Sequence, residues 1–230
     1  TIEHFRKVKS VADLKAWFAD DKAHRESDLG AFARLSRQVG LDQMGRGFSN
    51  FISFGSLEMP RQTDVDSLNG HNHFLPAGFL KNGQRNELRQ EKITEEIARS
   101  WFSGYDLGRH PFSGLTNPAI DQDGQKYSWA KAPRYDGFPA ETGPLSQLLI
   151  ADDPLFADLI KRQKGASAFS RQLARIVRPA YLLPILDQWL KEIAIMKEDF
   201  FKDYVKSDFC QGFGMIEAPR GALGHWVKIK

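Results

Sequence analysis

Cysteine is nearly absent from this sequence, since the 230 residues include only Cys210. A single cysteine excludes an internal disulfide and any thiolate cluster built from this chain alone. We expect its side chain to be a small buried group. Long apolar runs are also missing, because stretches such as 181–186 are short and interrupted by proline. They fall far below the roughly 20 residues of a membrane-spanning helix, so we expect no direct membrane span.

A strong excess of either charge is missing as well. The chain has 32 basic and 29 acidic residues spread along its length, for a formal net charge of +3. No concentrated field exists to attract nucleic acid, so a polyanionic partner is not expected. Hydrophobic residues make up 41% of the chain, enough for the core of one large domain or of part of a larger one.

Both ends of the chain suggest a fragment. Thr1 is not an initiator residue and no secretory signal precedes it, while the last residues, 227–230, alternate like an unfinished strand. We therefore expect residues 1–230 to be a partial domain that is incomplete at both ends.

Helical patterns occupy both flanks of the sequence. Ser10 is placed to cap a first helix with Leu14 on its apolar face, and a second helix has the apolar positions Leu29, Phe32, Leu35 and Val39. We expect these two helices to pack as a pair. After Gly143 the pattern predicts a short helix around residues 155–160 and a longer one over residues 169–196. Pro179 and Pro184 are expected to kink or divide the longer helix.

The middle of the chain has a different periodicity. Residues 51–54 and 74–80 have the pattern of strands, and Asn82-Gly83 is typical of a hairpin turn. Thr94, followed by two glutamates, predicts a helix with Ile97 and Trp101 on its apolar face, ending by residue 104. Between residues 104 and 143 lie five glycines before the final one and four prolines, which predicts a long ordered loop. The predicted fold class is α+β, mainly α, with long ordered loops and small antiparallel β elements.

The most distinctive segment is residues 217–226, which read Glu-Ala-Pro-Arg-Gly-Ala-Leu-Gly-His-Trp. Pro219 fixes its own backbone angle and restricts Ala218, while Gly221 and Gly224 allow close backbone approach. Arg220 is therefore predicted to project from a stiff loop between two extended segments. Its guanidinium is permanently charged and has five donors, which suits holding a buried anion or orienting a proton transfer beside a metal.

This segment resembles the motif of nickel-iron hydrogenase large subunits, and all ten positions match. Residues 109–114 with 116–118, residues 126–137 and residues 141–145 resemble further family segments in the expected order. The resemblance covers residues 48–230 clearly and the first 47 more weakly. Residues 109–114 and 126–137 are expected to be structural, in a packed loop or a subunit interface.

The resemblance implies a nickel-iron centre with cyanide and carbon monoxide ligands, held by two Cys-x-x-Cys pairs near opposite ends of the full chain. Neither pair is present here, so no metal ligand is assigned and the fragment alone is expected to be inactive. The family arginine lies over the metals and bonds toward a cyanide. By position it is Arg220, the predicted catalytic residue, with Ala218 and Pro219 lining the same pocket.

The resemblance also implies a reaction and a partner. The intact enzyme would cleave H2 heterolytically to protons and electrons, and the electrons would leave through iron-sulfur clusters of a small-subunit partner. The ending of the motif resembles uptake-type enzymes, which favours hydrogen oxidation. The compartment stays open between the periplasmic side of the membrane, reached through the partner, and the cytoplasm.

Two further groups of polar residues have functional and structural interpretations. Glu217 and His225 flank Arg220 and could orient it or relay protons, or they could satisfy local backbone groups. His71 and His73 have the spacing of two metal ligands on a strand, but with no third ligand nearby a solvated loop is the better interpretation. We predict no metal site there.

Two other classes of function remain as alternatives. One is the nickel-free large peripheral subunit of respiratory quinone oxidoreductases, which shares the fold but resembles Glu-Ala-Pro-Lys-Gly at this place. Arg220 and the five residues that end the motif favour the hydrogenase. The other is a non-catalytic helical interaction module, which would leave the ten-residue motif without a role.

Overall fold

The structure is a computed structural model, and it describes residues 2–58, 73–120, 124–195, 197, 201, 203 and 208–229. The chain divides into two compact units. The first comprises residues 1–47 and 144–207, and the second comprises residues 48–143 and 208–230. Each unit is therefore built from two stretches of chain that are distant in sequence.

The first unit is helical. Its elements are α1 (Ile2–Phe5), α2 (Val11–Asp20), α3 (Lys22–Glu26), α4 (Asp28–Gln38), α5 (Pro144–Ile150), α6 (Pro154–Gln163) and α7 (Ala168–Ile195). Every residue of α5 is buried, and its side chains pack with α6 and α7. The core of the unit lies among these helices, with Leu155, Phe156 and Leu173 fully buried.

The caps of these helices explain where they begin. The Ser10 hydroxyl accepts a hydrogen bond from the Asp13 amide at 3.1 Å, so the predicted cap of α2 is confirmed. The Asp153 carboxylate caps α6 by accepting from the Phe156 amide at 3.2 Å, and it also accepts from the Tyr181 hydroxyl at 2.9 Å. Burial and the neighbouring Asp153 charge raise the pKa of Tyr181, because both oppose formation of a phenolate.

Three details of the helical flanks differ from expectation. α3 lies between α2 and α4 in sequence and packs against both, so the predicted pair is joined by a third helix. Leu35 and Val39, predicted on the apolar face of α4, are 60% and 55% exposed. α7 runs unbroken through Pro179 and Pro184, so those residues do not divide it. Met196 lies outside the described residues.

The second unit contains the strands. They are β1 (Phe51–Glu58), β2 (His73–Lys81), β3 (Gln84–Asn86), β4 (Ile93–Glu96), β5 (Phe102–Ser103), β6 (Asn117–Pro118), β7 (Ala132–Tyr135), β8 (Cys210–Ala218) and β9 (Gly221–Ile229). They form a three-stranded sheet in the order β1-β2-β3 and the antiparallel pairs β4-β7, β5-β6 and β8-β9. Short 3-10 helices span Gln90–Lys92 and Pro111–Ser113. The predicted α+β class is confirmed.

The predicted hairpin turn at Asn82-Gly83 is confirmed. Both residues have positive φ, 51° and 76°, and they connect β2 to β3 with Lys81 paired to Gln84. Two central residues with positive φ match the twist of the flanking strands, which explains the preference for Asn-Gly at this place.

The helix predicted to begin at Thr94 is wrong. Residues Ile93–Glu96 form β4, which pairs antiparallel with β7. The two glutamates are cross-strand ion-pair partners: Glu95 contacts Lys131 at 3.0 Å and Glu96 contacts Arg134 at 3.2 Å. Local sequence favoured a helix, but a partner strand almost 40 residues away decides the structure. The predicted loop over residues 104–143 is likewise interrupted by β6 and β7.

The expected burial of Cys210 is also wrong, because the residue is exposed. It begins β8 at the open end of the β8-β9 hairpin, paired with Ile229. The first five residues of β8 are all exposed, so this end of the hairpin has no core to cover it.

The core of the second unit brings together strands from across the sequence. Its buried members are Ile52, Phe54, Phe79, Leu88, Ile93 and Tyr135. Tyr135 is 3% exposed, and its hydroxyl donates to the Glu87 carbonyl at 3.0 Å and accepts from the Arg89 amide at 2.9 Å. Burial raises the pKa of this phenol, since a buried phenolate is poorly solvated.

We expect Tyr135→Phe to destabilise the chain by about 1–3 kcal/mol, because it removes the hydroxyl that bonds both the Glu87 carbonyl and the Arg89 amide, two hydrogen bonds of roughly 0.5–1.5 kcal/mol each. Urea unfolding of the 230-residue chain measures the change. Tyr127→Phe is the matched control in the same unit, since Tyr127 is 72% exposed. Its effect should stay within about 0.5 kcal/mol. Equal effects of the two changes would contradict the role given to Tyr135.

Candidate functional site

The predicted Arg220 loop is the turn of the β8-β9 hairpin. The strands pair in register from Cys210 with Ile229 to Ala218 with Gly221, which leaves Pro219 and Arg220 as the two turn residues. Arg220 therefore lies between extended segments, as its flanking residues predicted. Both turn residues are exposed, while Ala218 is half-buried.

The turn is held by close backbone contact with Thr142 and Gly143. Gly221 has φ of +144°, and a Cβ added there would lie 2.5 Å from Thr142 Oγ1 and 2.9 Å from the Gly143 amide nitrogen. Gly143 has φ of +110°, and its Cβ would lie 3.1 Å from the Arg220 carbonyl oxygen. Neither position has room or backbone freedom for a side chain. The motif at residues 141–145 therefore provides the surface against which the turn of the motif at residues 217–226 packs.

The Thr142-Gly143 segment is itself fixed to the three-stranded sheet. The Ile52 amide donates to the Glu141 carbonyl at 2.9 Å, and the Glu141 amide donates to the Asn50 carbonyl at 2.8 Å. These bonds align residue 141 beside β1, so the surface that receives the Arg220 turn belongs to the core sheet.

Glu217 joins the hairpin to the same strand. The residue is 6% exposed, and its Oε1 accepts a hydrogen bond from the Phe54 amide at 2.7 Å. A charged acceptor strengthens such a bond in a buried setting. Glu217 pairs with Ala222, so it lies on the hairpin face that packs on β1. The carboxylate thus accepts a hydrogen bond from a β1 amide and holds the hairpin against β1. The point of attachment is the Glu217–Ala222 pair, next to the Ala218–Gly221 pair at the turn.

Trp226 forms a third attachment, through Gln90 and His110. Its Nε1 donates to Gln90 Oε1 at 3.1 Å, and His110 Nε2 lies 3.0 Å from the same oxygen. His110 Nδ1 accepts from the Phe112 amide at 3.2 Å, which assigns the ring proton to Nε2 and makes both contacts to Gln90 Oε1 donating ones. The rings of His110 and Trp226 meet edge to face, 6.1 Å apart. The motif at residues 109–114 therefore helps to hold the motif at residues 217–226.

His225 lies apart from this arrangement. It pairs with Gly214, four pairs from the turn, or about 13 Å at the usual rise of a strand. Because side chains alternate along a strand, His225 lies on the opposite face from Glu217 and is exposed. The structure brings Glu217, Ala218, Pro219 and Arg220 together but does not place His225 beside them.

A cavity of about 460 Å³ lies beneath the hairpin within the second unit. Its lining is mainly apolar and includes Ile52, Phe54, Ala222, Gly224 and Trp226, with the Glu95–Lys131 ion pair as its principal charged feature. The motif and the core sheet thus enclose a space on the inner side of the hairpin.

Metal ligands are not assembled in the described part of the chain, where no three His, Cys, Asp or Glu residues cluster suitably. Cys210 lies eight residues before Ala218 on β8, about 26 Å from the turn. Of the His71–His73 segment only His73 is described, and its ring lies against Gly55. Arg220 is exposed, and its guanidinium makes no hydrogen bond or ion pair within the part of the chain that the structure describes.

The whole chain, residues 1–230, matches the family model described as nickel-dependent hydrogenase. The chain belongs to this family. It is 30% identical to the hydrogenase-1 large chain of Citrobacter freundii over 82% of its own length and 38% of the relative's. It is 31% identical to the periplasmic [NiFeSe] hydrogenase large subunit of Desulfomicrobium baculatum, over 83% of this chain and 38% of that one.

Solved structures of the family have the same fold. The as-isolated, oxidised Ni-Fe-Se hydrogenase of Desulfovibrio vulgaris Hildenborough matches with a TM-score of 0.69 and 28% identity, covering 97% of this chain and 49% of that chain. The hydrogenase chain described here thus spans about two fifths of its curated relatives and half of this solved neighbour. Within the described residues, no helix is long and apolar enough to cross a membrane.

The sequence identified the Arg220 turn of this hydrogenase chain but missed the residues that hold it. Phe54 contributes a backbone amide, which no side-chain pattern reveals. Gln90 lies outside the motifs that carried the resemblance, and only the fold brings it to Trp226. Thr142 and Gly143 were recognised as a matching segment, although their contact with Gly221 could not be inferred from their spacing.

Gly224→Ala tests the packing of the motif in the hydrogenase chain. The added Cβ would lie 2.5 Å from the Trp226 ring and 3.4 Å from the Phe54 ring, so the Trp226 ring, which is bonded to Gln90, must shift. We expect a loss of about 1–3 kcal/mol in the free energy of unfolding, typical of overpacking. Urea unfolding measures it.

Gly214→Ala is the matched control for this change, because it lies in the same hairpin with no atom within 4 Å of the added Cβ. Its φ is not positive, so the exchange should be neutral or should stabilise the chain by up to about 1 kcal/mol. If Gly224→Ala were as mild as the control, the close packing of Trp226 on Gly224 would be refuted.

Proposed function

We propose that this chain is part of the catalytic large subunit of a nickel-iron hydrogenase, which in the intact protein cleaves H2 heterolytically to protons and electrons. The observation that carries the proposal is the Arg220 turn, held by the complementary glycines of two family segments and by the buried Glu217. The turn fixes the backbone from which this cation extends, and preorganised charge is the condition for electrostatic stabilisation of a transition state.

The metal centre belongs to polypeptide outside these residues. The described part of the chain has no cluster of ligands, and its single cysteine lies at the far end of the hairpin from Arg220. A nickel-iron centre with cyanide and carbon monoxide ligands would therefore take its thiolates from the remainder of the large subunit. The residues of this chain fit the wall of such a site, with Arg220, Pro219 and Ala218 lining it, and do not fit as its ligands.

Arg220 would act on the charge that the reaction separates. Cleavage of H2 into a proton and a hydride creates opposite charges, and a guanidinium in a water-poor pocket stabilises the negative one strongly. The guanidinium also suits an anionic ligand such as cyanide, because it would donate a charge-assisted hydrogen bond to the cyanide nitrogen. Arg220 is exposed in this chain, and the proposal requires the remainder of the large subunit to enclose it.

Glu217 and Ala218 would set the position of Arg220. The Glu217 carboxylate is occupied by the Phe54 amide, which favours a structural role over proton relay. His225 would take no part at the metal centre, because it lies on the outer face of the hairpin, four pairs from the turn. This assignment removes His225 from the pocket residues predicted from the sequence and keeps Glu217, Ala218 and Pro219.

The partner and the direction of the reaction are part of the same proposal. Electrons from H2 would leave through iron-sulfur clusters of a small subunit, since the described residues provide no cysteine cluster for them. Several similar proteins are named uptake hydrogenase large subunits, including that of Rhodobacter capsulatus at 28% identity. This supports hydrogen oxidation as the physiological direction.

We expect Arg220→Lys in the intact enzyme to lower the rate of H2 oxidation by about 10²–10³-fold, because lysine keeps the charge but loses the planar fork of donors. Nickel content should be unchanged, since Arg220 is not a ligand. The rate is measured with an artificial electron acceptor and the metal by elemental analysis.

Arg37→Lys is the control, because Arg37 is an exposed residue of α4 in the other unit. It should leave both the rate and the nickel content unaltered. Near-normal turnover of Arg220→Lys would refute the role of Arg220, and a nickel-free wild-type enzyme would refute the proposed function as a whole.

A further inference from the structure

The turn between β2 and β3 places two groups that react with each other at an open position. Asn82 and Gly83 are both exposed, and a Cβ added at Gly83 would meet no atom within 4 Å. Within the part of the chain that the structure describes, the Asn82 side chain makes no hydrogen bond and the Gly83 amide donates none. The side-chain amide of Asn82 and the backbone nitrogen of Gly83 are the groups that an asparagine ring closure joins.

Ring closure at this dipeptide is a balanced reaction of the chain with itself. The Gly83 nitrogen attacks Asn82 Cγ, so a new N–C bond forms, the bond from Cγ to the side-chain nitrogen breaks, and that nitrogen leaves as ammonia with the displaced proton. Water then opens the resulting succinimide at either of its carbonyl carbons, which gives aspartate or isoaspartate at position 82. Glycine favours the first step, because it has no side chain to hinder the approach of its nitrogen to Cγ.

The short strand β3 makes this turn easy to open. The five-membered ring fixes a backbone angle of Asn82 that differs from that of a hairpin turn, so the turn must open before the ring can close. β3 has only three residues, all of them exposed, and it pairs with β2 alone. Segments with few buried contacts open locally at a small fraction of the global free energy of unfolding.

A second turn of the same form shows which attachments are missing at Asn82. Asp136 and Gly137 have φ of 52° and 78°, close to the 51° and 76° of Asn82 and Gly83. The Asp136 amide donates to the Lys92 carbonyl at 2.9 Å, and the Asp136 carboxylate pairs with Lys92 Nζ at 3.3 Å. This form of turn therefore accepts aspartate at its first position, and Asn82 has neither of the bonds that hold Asp136.

The other described asparagines are less suited to the reaction. The side-chain amides of Asn50 and Asn86 each donate to a backbone carbonyl at 3.1 Å, and each of these residues precedes a residue with a bulky side chain. Asn117 precedes a proline, whose nitrogen has no proton to lose. Asn69-Gly70 is the second Asn-Gly of the sequence and lies outside the described residues.

We propose that Asn82 is a site of spontaneous modification, at which ring closure onto Gly83 replaces an amide by a carboxylate and the isoaspartate product releases β3 from β2. Isoaspartate carries the main chain through its side chain and so adds one carbon to the turn. The pairing of Lys81 with Gln84 is then lost, since hairpin register follows turn type and loop length. Aspartate keeps the turn, as it does at Asp136. The inference does not depend on the proposed function.

Incubation of the intact large subunit in mildly alkaline buffer tests this inference. Peptide mass spectrometry with fragmentation measures the conversion of amide to carboxylate at each asparagine, and an isoaspartyl carboxyl methyltransferase with a labelled methyl donor measures the isoaspartate. In the folded protein we expect Asn82 to convert roughly tenfold faster than Asn50 and Asn86, because its turn opens at little cost. Asn82→Gln is the matched variant, and its peptide should give no isoaspartate signal, since glutamine would have to close a larger ring.

Conversion of Asn82 no faster than that of Asn86 in the folded protein would overturn the inference, whatever the rates in denaturant. Hydrogen exchange tests the release of β3. In the isoaspartate form the amides of residues 84–86 should exchange roughly tenfold faster, while those that join β1 to β2 keep their protection. The variant Asn82→Asp should exchange like the unmodified protein, because aspartate fits the turn. Unchanged protection of residues 84–86 in the isoaspartate form would refute the release.

Discussion

The close approach of two glycine-containing turns is the constraint on which the candidate site depends. Gly221 and Gly143 let the Arg220 turn lie against the Thr142-Gly143 backbone with no room for a Cβ on either side. A turn packed in this way is restricted, because rotation toward the Thr142-Gly143 segment would bring backbone atoms into collision. Arg220 therefore begins from a fixed Cα, and only its side-chain torsions remain free.

Two other attachments also hold the hairpin against the core of the second unit. Glu217 ties β8 to β1 through a backbone amide, and Trp226 ties β9 to Gln90 and His110. The three attachments involve segments that are far apart in sequence but belong to the same compact unit. The separate motifs of the sequence thus form one structural assembly, and the exposed Arg220 lies at its turn.

The sequence predicted what local chemistry controls and missed what distant partners control. The Ser10 cap, the Asn82-Gly83 turn and the bend at Pro219 follow from side-chain and backbone preferences within a few residues, and the structure has all three. Thr94 was assigned to a helix because its partner strand lies almost 40 residues away. Cys210 was expected to be buried because a free cysteine usually is, but burial depends on whether a core reaches that end of the hairpin. Family resemblance is the source of the proposed function, which no local pattern could have given.

The hydrogen bond from Phe54 to Glu217 joins residues 163 positions apart, which has a consequence for synthesis of the protein. At a translation rate of about 5–20 residues per second, roughly 8–30 seconds pass between synthesis of β1 and synthesis of the hairpin that covers it. During this interval Ile52 and Phe54 lack their apolar neighbours Met215, Ala222 and Trp226. The nascent chain therefore exposes an apolar sheet face for a long period, during which chaperones can bind it. The Arg220 turn is completed only near the end of translation of this segment.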